Sequence, residues 1–422
     1  MQENLLQFIW QFRYFNARDL STTDGEQLII LHSGILNKNQ GPDFINGKIK
    51  INNTILAGNI ELHVKSSDWL LHNHSNDKNY NNIILHVVWE HDKEIPGTNF
   101  PTLELQPLVA SSMLYTYETL MNNNFFIPCE KYLPVLNHLQ WLVWKDHLLA
   151  ERLERKSQEV RELLTFNNQD WSETFWQLLA KNFGAKVNTD IFFDLAKSLP
   201  LIILAKNKHQ LSTLEALLFG QCGLLQEHQH NDYARALQKE YEYLRIKYNL
   251  QAVTYKPKFL RMRPQNFPTV RLAQLAALIY NSNHLFSKIL ETSNYNGFKE
   301  MFESKAGNYW DTHYTLNDMP HEANPKHIGQ PTIDIILINT VIPVLFAYGE
   351  INQSEMYKEK AMRLLSEIKA ENNAIIRSWR SFGVACQSAF DSQALLELKN
   401  NYCDKKMCLN CSVGHTVLKQ KQ

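Results

Sequence analysis

Apolar and polar residues along the first hundred positions change period several times, and each change predicts an element. Over residues 2–15, Leu5, Leu6, Ile9, Trp10, Phe12 and Phe15 recur at roughly helical spacing, which predicts a first helix with one apolar stripe. Gly25 interrupts it, and residues 27–32 read as a strand. After a polar turn at 37–41, Lys48, Lys50 and Asn52 alternate with Ile49 and Ile51, the pattern of a half-buried strand. Asn52-Asn53 predicts a hairpin turn into a third strand over 54–65. Residues 66–82 are polar and rich in turn formers, whereas the apolar run 83–89 suits a buried fourth strand. A short strand at 102–105 and a helix over 110–121 follow.

From about residue 130 the period is helical and stays so. Residues 141–164 carry Leu148, Leu149, Leu153 and Val160 among paired charges such as Glu151 and Arg155, which predicts a long, partly exposed helix. Further helices are predicted at 171–183, 189–206, 211–220, 230–248, 270–293 and 353–371. The apolar run 335–349 contains Asn339, Thr340 and Pro343 and predicts a buried, kinked core helix. Residues 325–331 read as a loop, Asp391 or Ser392 as the cap of a late helix, and the chain from 419 onward as frayed. The expected class is therefore α+β. A mixed α/β sheet domain spans 1–125, an all-helical domain 126–395, and a cysteine-rich segment 396–422.

Composition narrows this picture. A chain of 422 residues exceeds what one core organises, and 44% apolar with 20% charged residues excludes a disordered protein. Lys and Arg number 43 against 43 Asp and Glu, so any attraction to nucleic acid or membrane must come from a local patch. The first residues lack signal-peptide features, and no run approaches the ~20 apolar residues of a membrane span. The expected location is the cytoplasm, with no membrane partner.

Candidate chemistry gathers in the third strand. Alternate residues of a strand share a face, so Glu61, His63 and Lys65 point one way and Ile60, Leu62 and Val64 the other. Asp43 opens the preceding strand and meets them if the two strands pair. Two carboxylates at the centre of a small sheet supply hard oxygen ligands for Mg2+ or Mn2+, and a nearby Lys or His orients a water for attack on a phosphodiester. His72 and His74 lie near enough in sequence to act together, and Asp77 is placed to orient a histidine or hold a second ion. His32 and His86 read as structural.

On Pro42-Asp43, Glu61, Leu62 and His63 the chain resembles the PD-(D/E)xK nuclease superfamily, whose core runs helix, three strands, helix, strand. The resemblance implies metal binding by Asp43 and Glu61, with Leu62 contributing only its backbone carbonyl. The residue two beyond Glu61, a lysine in that pattern, is His63 here, and Lys65 lies one step further along the same face. Over nearly its whole length the chain also resembles an uncharacterised bacterial family, domain of unknown function 2851. The segments that carry this are Gly41-Pro42-Asp43-Phe44, the run from Glu61 to Trp69, Ile84-Leu85-His86-Val87-Val88, Asn266-Phe267-Pro268-Thr269 with Arg271, and the terminal cysteines. That resemblance implies no activity.

Cys403, Cys408, Cys411 and His415 have the spacing of a metal knuckle, since thiolates so close repel one another unless a cation holds them. A structural Zn2+ on three cysteines and His415 is the first reading. An iron–sulfur cluster completed by Cys386 is the second, and reduced thiols without metal are the third. Cys129, Cys222 and Cys386 otherwise read as buried, inert thiols. Lys256, Lys258, Arg261, Arg263 and Arg271, interleaved with Tyr255, Phe259 and Phe267, form the strongest basic stretch, suited to a phosphate backbone. The expected function is a metal-dependent nuclease or phosphodiesterase acting on DNA or RNA. Two alternatives stand beside it: a non-catalytic nucleic-acid-binding protein on the same scaffold, and a metal hydrolase centred on His63, His72 and His74.

Overall fold

The computed structural model describes residues 1–72, 74, 77–226 and 231–419, and it is an α+β protein. Compact packing assigns Met1–Trp144, Ser381–Val384 and the chain from Leu398 onward to one unit, and Lys145–Arg380 with Ala385–Glu397 to the other. The division thus falls inside the helix His138–Phe166 and not near residue 125, and the cysteine-rich segment belongs to the N-terminal unit.

The first unit is built on a six-stranded mixed sheet. Helix α1 (Glu3–Gln11) buries Leu5, Leu6, Phe8, Ile9 and Trp10, the stripe that its spacing predicts. Strands β1 (Leu28–His32), β2 (Ile35–Leu36), β3 (Phe44–Ile51) and β4 (Thr54–Lys65) follow, then the short helix α2 (Asp68–Leu71), β5 (Ile83–Glu90), β6 (Thr102–Glu104) and helix α3 (Ser111–Asn122). The sheet order is β1-β3-β4-β5-β6, with β2 paired to β3. β3 runs antiparallel to both of its neighbours, β1 and β4, whereas β4, β5 and β6 run parallel. The β3–β4 hairpin turns at Asn52, whose φ of 51° is the left-handed conformation that asparagine tolerates. The two-residue strand β2 is too short to leave a periodic signal.

Two irregularities shape the centre of this sheet. Between β3 and β4 the register slips after Phe44↔Ile60, so Ile45 and Asn46 together oppose Asn59, with Asn46 in the left-handed region. Between β4 and β5 the register slips after Asn59↔Ile83, and Ile60 pairs with Leu85. Gly58 permits the close approach of β5, because a Cβ there would stand 2.6 Å from the Asn82 carbonyl oxygen.

The second unit is helical. Helices Trp171–Phe183, Leu211–Gln221 and Asp232–Tyr248 lie where the periodicity predicts them, save that residue 230, where the last was expected to begin, lies outside the described residues. The expected helix 189–206 is two, Ala185–Ser198 and Leu201–Lys206, because Pro200 cannot continue the first. The expected helix 270–293 is also two, Pro268–Asn281 and Leu285–Glu291, separated at His284 with φ of 51°. The apolar run of 335–349 lies in the helix Gln330–Ile351, which carries a π-helical turn at Leu337–Val341 ahead of Pro343. By length and composition this helix is apolar enough to cross a membrane, and 67% of its most apolar stretch is buried inside the protein. Asp391 lies inside the helix Ala389–Glu397, not at its cap, and accepts from the backbone N–H of Gln387. Of the end expected to fray, residues 420–422 lie outside the described residues.

Within the helical core, Glu215 is buried on Leu211–Gln221, accepting from the Tyr233 hydroxyl at 2.6 Å and the Trp310 indole at 2.9 Å. Burial raises its carboxyl from the ordinary 4.5 to about 7. The unfolded chain releases this proton from 4.5 upward, while the folded protein keeps it to about 7, so stability falls as pH rises through that window. Chemical denaturation between those pH values is expected to show wild type losing about 3 kcal/mol relative to Glu215→Gln, the difference that isolates this carboxyl from the other titrating groups.

Candidate metal centre

The residues singled out in the third predicted strand meet on one face of the sheet, at the parallel β4–β5 pair. Glu61 is 5% exposed and His63 2%, so this face is buried and not solvated. Asp43, just ahead of β3, is held on both carboxylate oxygens: Gln7 Nε2 of α1 donates to Oδ1 at 2.8 Å, and the Leu62 N–H donates to Oδ2 at 3.0 Å. The Asp43 N–H in turn donates to Glu61 Oε2 at 2.9 Å. The second oxygen, Glu61 Oε1, faces His74 Nε2 at 3.5 Å and His63 Nε2 at 3.8 Å.

Three imidazoles complete the cluster. His63 Nε2 lies 3.2 Å from His72 Nδ1, and the ligating atoms of His63, His72 and His74 all fall within 4.8 Å of one another. His63 Nδ1 lies 2.8 Å from Nε2 of His86, a fully buried residue of β5. If His63 Nε2 is to accept an ion, its proton must sit on Nδ1 and be donated to His86, so His86 sets the tautomer. Trp69 of α2 walls the site, edge-on to His63, His74 and His86, and Tyr80 stacks on His74 with centroids 3.9 Å apart. Asp77 accepts from the Asn79 N–H and caps the turn Lys78–Tyr80 that carries Tyr80. Asp92 anchors the start of the histidine loop by accepting from Ser66 Oγ, Ser67 Oγ and the Ser67 N–H.

Electrostatics follows from this burial. Desolvation and then the charge of Asp43 raise the Glu61 carboxyl to about 9, and desolvation raises Asp43 to about 6. Burial, then neighbouring imidazoles, drives His63 down to about 2 and His86 to about 3. At neutral pH His63 and His86 are therefore neutral, and Glu61 holds a proton that a bound cation would displace. His74 Nε2 is buried without a hydrogen-bond partner. An ion among Glu61 Oε1, His63 Nε2, His72 Nδ1 and His74 Nε2 would satisfy all these groups, and a donor set this rich in imidazole suits Mn2+, Zn2+ or Fe2+ better than Mg2+.

Lys65 stands apart, its ammonium half-exposed and 3.8 Å from Glu90. His86 and Gln7 belong to the site although the sequence did not single them out for it. For His86 a usable signal existed, since a histidine inside the apolar run 83–89 needs a polar partner. For Gln7, on the apolar first helix, there was none. Lys256, Lys258, Arg261 and Arg263 are exposed on the irregular stretch after Asp232–Tyr248. Arg271 is more enclosed. It donates to Asn266 and Gln274 and lines a cavity of about 430 Å³ with Lys326.

Fold and site together define an α+β protein with a buried histidine–carboxylate cluster on a mixed sheet. The chain belongs to the family described as protein of unknown function DUF2851, whose model matches residues 3–374. No curated protein and no solved structure matches it.

Calorimetric titration with Mn2+ is expected to show binding that His74→Ala and Glu61→Gln abolish and Lys65→Ala leaves unchanged. His86→Ala, which removes the partner of His63 and not a ligand, is expected to weaken it about 10–100-fold.

Proposed function

We propose that the protein is a metal-dependent hydrolase of phosphodiesters, acting on nucleic acid. The observation that carries this reading is the convergence of Asp43, the buried Glu61 and His63, the half-buried His74 and the exposed His72 at one edge of the β4–β5 pair. The order of helix, three antiparallel strands, short helix and parallel strand supports it, being that of the nuclease core which the Asp43 and Glu61 segments resemble. The exposed basic side chains of Lys256, Lys258, Arg261 and Arg263 supply charges suited to phosphate.

Glu61 and the three histidines hold the ion, with His63 kept in the productive tautomer by His86. A bound divalent cation would polarise a phosphoryl oxygen and stabilise the charge that builds on it. Asp43, with a carboxyl raised to about 6, is mainly ionised at neutral pH and close to the range in which a carboxylate accepts the proton of an attacking water. Gln7 and the Leu62 N–H fix its orientation. Trp69 and Tyr80 enclose the imidazoles.

Incubation with single- and double-stranded DNA and RNA in the presence of Mn2+ is expected to give cleavage. Asp43→Asn and Glu61→Gln, with folding checked by circular dichroism, are expected to lower the rate by at least about a hundredfold. Cleavage at the wild-type rate in both variants contradicts the proposal. Salt-sensitive binding with no cleavage favours a non-catalytic binding protein instead.

A further inference from the structure

Cys403, Cys408 and Cys411 are buried in the N-terminal unit without disulfides, and His415 Nε2 lies 2.6 Å from the Leu409 carbonyl oxygen. Cys386 lies in the helical unit. That unit also holds a charge left without a counter-charge. Arg271, in the first turn of the helix Pro268–Asn281, lines a cavity of about 430 Å³. Asn266, Asn324, Lys326, His327 and Thr332 share its wall, and among the described residues no acidic side chain does.

The guanidinium of Arg271 is held in place but not neutralised. Nη2 donates to Asn266 Oδ1 at 2.7 Å and Nη1 to Gln274 Oε1 at 3.1 Å, and both acceptors are uncharged amides. Its Nε is buried and has no hydrogen-bond partner. Lys326 is 4% exposed, and its ammonium donates to the Asn324 carbonyl oxygen at 2.7 Å. Among the described residues no carboxylate pairs with Arg271 or Lys326. Elsewhere in the same unit the enclosed cations Lys145 and Arg152 meet Asp391 and Glu397. Gln274, 3% exposed, ties the two cationic segments together, because its Nε2 donates to the carbonyl oxygens of His327 at 2.8 Å and Lys326 at 3.3 Å.

We propose that this cavity binds the phosphoryl group of a small phosphate monoester, with Arg271 as its principal contact and Lys326 supplying a second charge. A cation withdrawn from water loses solvation that only an anion restores in full, and the unpartnered Nε–H is a donor waiting for an anionic oxygen. The 22-residue helix Gln330–Ile351 begins at the same cavity, with Thr332 in the wall. Its start has no side-chain cap and no acidic residue in the first turn, so the positive end of its peptide dipoles is uncompensated as well. Two permanent cations and a helix start suit a dianion better than a single carboxylate. The volume falls in the usual range of small-molecule sites and leaves room for the group that carries the phosphate. The site lies wholly in the helical unit and is independent of the phosphodiester reading.

The test is calorimetric titration of the full-length protein with adenosine 5′-monophosphate, in the presence of a chelator so that the histidine cluster holds no ion. The nucleotide is expected to bind and to be displaced by inorganic phosphate, whereas adenosine and acetate bind more weakly than either. Arg271→Gln is expected to weaken nucleotide binding at least about tenfold. Lys239→Gln, which removes an exposed lysine of the same unit, is expected to leave it unchanged. Asn266→Asp, at an exposed position, sets a carboxylate against the guanidinium and is expected to weaken binding to a similar degree. That variant decides the matter if Arg271→Gln does not fold. Wild-type protein that does not bind the nucleotide overturns the proposal. So does acetate or adenosine binding as tightly as the nucleotide, or nucleotide binding unchanged in Asn266→Asp or in folded Arg271→Gln.

Discussion

The site depends on one irregularity, the single extra residue where β5 pairs with β4. Before it Asn59 opposes Ile83, and after it Glu61 opposes His86. Paired residues of parallel strands share a face, so regular pairing would have set His86 opposite Leu62, on the aliphatic face. The extra residue turns His86 toward Glu61 and His63 instead. The bulge on the other flank of β4, around Asn46, adjusts β3 so that the Asp43 N–H reaches Glu61. Both distortions cost regular ladder hydrogen bonds at the centre of the sheet. What they achieve is the alignment of a carboxylate pair with an imidazole pair.

That alignment is expensive to hold without an ion. A buried carboxylate beside another is driven to keep its proton, and buried imidazoles are driven to stay neutral. The same burial that opposes charge in the empty cluster would strengthen its hold on a cation, because little water competes for the ligand atoms. Gln7 and the Leu62 N–H leave Asp43 fixed and near the point of ionisation, while Glu61 Oε1 and three imidazole nitrogens remain to be satisfied.

Much of the sheet was legible in the sequence, since β1, β3, β4 and β5 follow alternation or a continuous apolar run. Alternation also placed Glu61 and His63 together, and it placed Lys65 with them, although the strand end carries that ammonium out to Glu90. His86 read as structural, and its contact with His63 was not legible because a bulge reverses the parity that alternation assumes. Gln7 was not legible because its role arises from the packing of α1 against the sheet, which no local period encodes. In the helical unit, periodicity located most helices and missed the breaks at Pro200 and His284, where the apolar pattern runs on past a change of backbone direction.

The central claim is that imidazoles, and not carboxylates alone, hold an ion on this sheet. Electron spin-echo spectroscopy of the protein loaded with one equivalent of Mn2+ tests it most directly. The account predicts coupling to imidazole nitrogen that disappears in the combined His63→Ala, His72→Ala and His74→Ala variant. A spectrum showing only oxygen ligation in the wild type, or nitrogen coupling unchanged in that variant, would contradict it.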